Sequence, residues 1–60
     1  MFVYVAQKDY FSEGKSEPVF VTASGIEMAA YLKGAKESQG TRVVGWTCNL
    51  DTKKIEAFES

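Results

Sequence analysis

Sixty residues lie near the lower limit for a chain that folds alone, because a domain of that length buries only about 60% of the surface its unfolded form exposes. A single cysteine, Cys48, and no histidine exclude a disulfide framework and an ordinary zinc site within one chain, so stability must come from apolar packing, for which 45% hydrophobic residues suffice. Seven basic and eight acidic residues, scattered without runs, exclude both the basic stripe of a typical nucleic-acid binder and the dense acidic surface of a DNA mimic.

The longest apolar stretch, Phe2 to Ala6, is far shorter than a membrane span and lacks the basic flank of a signal peptide. A cytoplasmic, non-membrane chain forming one compact domain over residues 1–60 is therefore expected, starting at its first strand. Phe2-Val3-Tyr4-Val5-Ala6 is rich in β-branched and aromatic residues and reads as that strand. The polar run from Asp9 to Glu17 suits a long hairpin loop, after which Pro18 opens a second strand through Ala23.

Ser24-Gly25-Ile26-Glu27 matches a capping box, so a helix is expected from Gly25 to about Gln39. Its period puts Met28, Leu32 and Ala35 inward with Ala29 and Tyr31 beside them, and Glu27, Lys33, Glu37 and Ser38 outward. Gly40 supplies a left-handed stop. Thr41 to Leu50 and Lys53 to Phe58 then read as a hairpin around Asp51-Thr52. That register pairs Cys48 with Ile55 and Trp46 with Ala57 on one side, Asn49 with Lys54 and Thr47 with Glu56 on the other, and sets Phe58 opposite Gly45.

The order β-β-α-β-β predicts an α+β fold, a small antiparallel-dominated four-stranded sheet in spatial order 2-1-3-4 with one helix on one face. If Val3, Val5, Val19, Val21, Trp46 and Ile55 pack under the helix, Phe2, Tyr4, Phe20 and Phe58 line the bare face. Such rings form a larger patch than a soluble monomer normally exposes; the alternative is that the two faces are reversed or that loops fold over the rings. Those four residues, with Tyr10 and Phe11 of the first loop, are the candidate partner-binding set. The helix stripe Ile26, Ala30 and Gly34, where small residues allow close approach, is a weaker candidate beside its bland account, Ile26 tucked against the preceding loop.

Catalysis finds little support. Histidine, the usual general base, is missing, Cys48 falls in the series expected to face inward, and the glycines form no phosphate-cradling pattern. No cofactor, metal or catalytic residue is implied. The expected function is a small non-enzymatic protein-binding module that covers a partner surface, of inhibitor, antitoxin or regulator type. By size and architecture alone it is comparable to phage and mobile-element antagonists of host machinery, anti-CRISPR proteins among them. A second copy of the chain is the other candidate partner. The alternative is a single-stranded nucleic-acid binder stacking bases on Phe2, Tyr4 and Phe20, with Lys8, Arg42 and Lys54 along the backbone path.

Overall fold

The computed structural model describes residues 1–35 and 38–58. Its elements are β1 (Phe2–Tyr10), β2 (Lys15–Thr22), α1 (Gly25–Gly34), β3 (Thr41–Asn49) and β4 (Lys54–Ala57). The strands form one sheet in the order β2-β1-β3-β4, each neighbouring pair antiparallel, so the α+β topology is the expected one.

The first hairpin is longer than its composition suggests. Lys8 pairs with Glu17, Asp9 with Ser16 and Tyr10 with Lys15, leaving a turn at residues 11–14 closed by Gly14 at φ 62°. Backbone ladders need no apolar side chains, and this one carries polar cross-strand pairs instead. Pro18 consequently sits within β2 rather than at its start. It is tolerated there because β2 is an edge strand and bulges at this point, with Val19 unpaired between the Ala6–Phe20 and Gln7–Pro18 pairs.

The closing hairpin adopts the expected register, with Trp46 on Ala57, Thr47 on Glu56, Cys48 on Ile55 and Asn49 on Lys54. Its turn takes four residues, 50–53. Asn49 Oδ1 accepts from the backbone N–H groups of Asp51 (3.0 Å) and Thr52 (3.3 Å), and Lys53 adopts φ 60°.

Ser24 caps α1 as expected, its hydroxyl accepting from Glu27 N–H at 3.2 Å. The glutamate half of the box is relayed. Glu27 accepts from the Thr22 hydroxyl (2.9 Å), and Thr22 Oγ1 in turn accepts from Ser24 N–H (3.1 Å). The helix stops at Gly34, short of the expected Gln39, and Ala35 is already extended. Gly34, the last helical residue, is a poor helix former, which favours a stop at this point. The expected outward position of Glu37 lies outside the described residues. Gly40 is left-handed, at φ 86°, but it serves the turn into β3, where Thr41 N–H donates to Ser38 C=O at 3.0 Å.

The helix settles on the face opposite to the one expected. Gly25 lies against the Tyr4 ring, Tyr31 stacks on Phe20 (centroids 4.4 Å apart, 4° between planes), and Leu32 comes down on Gly45. Tyr4 meets Phe58 edge-on at 5.5 Å. Ala6 and Met28, both fully buried, form the centre. Large rings therefore surround a floor of small residues, Ala6 and its cross-strand partner Gly45, and that hollow is what admits a helix. Trp46 and Cys48, expected in the core, are only half-buried, because by strand alternation they lie on the other side. Among the described residues no helix is long and apolar enough to cross a membrane.

Candidate functional site

Ten residues of helix extend only ~15 Å, so α1 shields part of one face and none of the other. On the open face, cross-strand partners assemble in rows. Val21, Val5, Trp46 and Ala57 make one row across all four strands, and Val3, Cys48 and Ile55 make the next. Ile55 is 67% and Val21 59% exposed. Across these rows and the next, Val5, Gln7, Trp46, Cys48 and Ile55 line a shallow depression of about 320 Å³. A larger hollow of about 480 Å³ follows the helix flank at Ala29, Ala30, Leu32 and Lys33.

The open face turns polar toward one end. The Asp9 carboxylate accepts from the Ser16 hydroxyl (2.6 Å) and from Gln7 Nε2 (2.8 Å), and Arg42 lies 3.4 Å from its second oxygen. The Ser16 bond first, then that of Gln7, holds the Asp9 pKa below its ordinary 3.8 against the opposing effect of desolvation, with Arg42 contributing less. Arg42 also lies over the Phe11 ring, its guanidinium carbon 5.5 Å from the centroid, and Phe11 is 56% exposed. Backbone bonding fixes this corner, since Phe11 N–H donates to Gly40 C=O at 2.8 Å.

The six aromatic residues singled out from the sequence do not form one patch. Tyr4, Phe20 and Phe58 pack with the helix layer, which corrects their expected exposure. Phe2 shares their side of the sheet but lies at its margin, half exposed. Tyr10 sits on the helix side beyond the helix itself, flanked by Lys8 and Lys15 and donating to Glu17 at 2.7 Å. That bond raises its pKa above 10.0. Phe11 alone borders the open face. Of the three rings named for the nucleic-acid alternative, Phe20 stacks on Tyr31, Tyr4 lies against Gly25, and Phe2 is half exposed.

Sequence reasoning named the open-face residues but assigned them to the core. The signal that places them correctly is Gly45 beside Ala6, since a glycine inside a strand marks where another element approaches closely. The helix stripe Ile26, Ala30 and Gly34 is solvent-exposed, and Ile26, at 84%, does not tuck against the preceding loop. No protein family, curated protein or solved structure matches the chain.

Proposed function

We propose that this chain is a non-enzymatic protein-binding module that acts by covering a surface of its partner, as a small inhibitor, antitoxin or regulator does. The observation supporting it is the bare apolar sheet face, centred on Val5, Trp46 and Ile55 and bordered by Arg42 and Phe11. An apolar centre with a polar rim is the usual anatomy of a protein interface, and tryptophan and arginine are the residue types that concentrate binding energy there. The depression beside Trp46 is shallow and offers one polar side-chain amide, Gln7, which suits an inserted apolar side chain better than a polar metabolite.

Affinity capture from lysate of the source cell, using the wild-type chain, Ile55→Glu and Ile26→Glu, tests this. Both isoleucines are exposed, so both variants should fold, which circular dichroism verifies. A partner retained by Ile26→Glu and lost by Ile55→Glu supports the open face. A partner lost only with Ile26→Glu moves the contact to the helix and overturns the assignment.

A further inference from the structure

We infer that the occupant of the open face is a second copy of this chain, docked face to face about a two-fold axis running along the strands between β1 and β3; this rests on the open face being a protein-contact surface, and any other target of that face competes with the second copy for it. Three observations lead there. The chain exposes 4466 Å², where a compact monomer of 6.6 kDa exposes about 3,900 Å². Its extents are 35 × 22 × 15 Å, so a face of the molecule is at most of the order of the roughly 800 Å² per partner that a standard stable interface buries.

Second, only Ala6 and Met28 are fully buried hydrophobics among the described residues, a thin core for a chain with neither disulfide nor metal-binding histidine. Covering the open face completes a second apolar layer, with two sheets about 10 Å apart and a helix on each outer side.

Third, the face is self-complementary under this symmetry. The axis places β1 of one copy over β3 of the other. Asp9 then faces Arg42 of the second copy, and Arg42 faces its Asp9, joining two intrachain pairs into an alternating ring of charges. In the same superposition Trp46 meets Val5, and Val21 meets Ala57, so large residues lie on smaller ones along the row. Arg42 is the more exposed member of its pair, 55% against 15% for Asp9.

Equilibrium sedimentation of the full chain from about 1 μM to about 1 mM, a span reaching from tight to weak association, should show twice the 6.6 kDa chain mass. Ile55→Glu should weaken association roughly thirtyfold or more, the effect of losing an interface hot spot. Asp9→Arg and Arg42→Asp should each self-associate poorly because like charges then meet, while an equimolar mixture of the two variants should recover the dimer. A mass of 6.6 kDa at all concentrations overturns the inference. So does a dimer indifferent to Ile55→Glu, or a charge-variant mixture without recovery. A monomer that binds a different protein through Ile55 sinks the second copy but leaves the binding face standing; a monomer that binds nothing through that face sinks both.

Discussion

Leu32 of α1 occupies the space a side chain at Gly45 would take: a Cβ built on Gly45 would lie 2.7 Å from Leu32 Cδ1 and 3.1 Å from the Phe58 Cβ. Leu32 can rotate its terminal methyl away, but the Phe58 Cβ is fixed by its own backbone, whose N–H donates to Gly45 C=O at 2.9 Å. Replacing a strand glycine by alanine ordinarily helps by reducing unfolded-state freedom. Here the sign reverses. Gly45→Ala is expected to destabilise by about 1–3 kcal/mol through overpacking, and Gly45→Val by more. Urea titration of the two variants checks this, and an unchanged or raised midpoint for Gly45→Ala would refute the packing.

Met28 is the largest fully buried side chain among the described residues and, with Ala6, is one of the two fully buried hydrophobic residues there. Met28→Ala should cost about 2–5 kcal/mol, a large part of the roughly 3–9 kcal/mol available to sixty residues. Trp46→Ala, despite removing a bigger ring, should cost the monomer at least about 1 kcal/mol less, because that ring is only half-buried on the open face. Thermal melts at dilute concentration separate the two, and a Trp46→Ala variant that melts below Met28→Ala would restore tryptophan to the core.

Ser24, Thr22 and Glu27 form a three-residue cap in place of the reciprocal box. Ser24→Ala is expected to lower stability by about 1 kcal/mol. Thr22→Val should lower it as well, since it leaves Ser24 N–H without its acceptor and Glu27 without its donor. Were the sequence-level box the operative arrangement, Thr22→Val would be silent, and comparing denaturation midpoints of the two variants distinguishes these cases.

The closing hairpin was legible in the sequence because a turn at Asp51-Thr52 matches Trp46 and Cys48 with apolar residues and Thr47 and Asn49 with polar ones. Strand order and the helix start were legible for similar reasons: connection rules leave few topologies, and Ser24 is the residue type a helix start requires. The covered face was not, because β1 and β2 carry apolar residues on both sides and alternation alone cannot rank them. Volume ranks them instead. Ala6, Gly25 and Gly45 leave room where Tyr4, Phe20 and Phe58 fill it, and that fit needs the three-dimensional placement of five elements. The helix end escaped because the sequence pattern continued toward Gln39, whereas the helix stops at Gly34.

Asp9 gives the fold a pH dependence of defined sign. Its carboxylate is stabilised in the folded state chiefly by the Ser16 hydroxyl and then by Gln7, which lowers its pKa below 3.8. The unfolded chain therefore takes up the proton at a higher pH than the folded one, and stability rises with pH across that interval. This contribution is fully present above the unfolded value of 3.8 and is lost as pH falls through the lower folded value. Asp9→Asn removes the titrating group, so the wild-type advantage over it should stay level from neutral pH to about 5 and shrink toward about pH 2. Because Ser16 outranks Arg42 as a cause, Ser16→Ala should raise the Asp9 pKa further than Arg42→Gln does. Denaturant titrations at a series of pH values measure the first effect, and side-chain carboxyl NMR titrations the second. A stability difference between wild type and Asp9→Asn that stays constant into strong acid would show that the Asp9 carboxylate does not prefer the folded state, and the polar end of the open face would then lose its anchor.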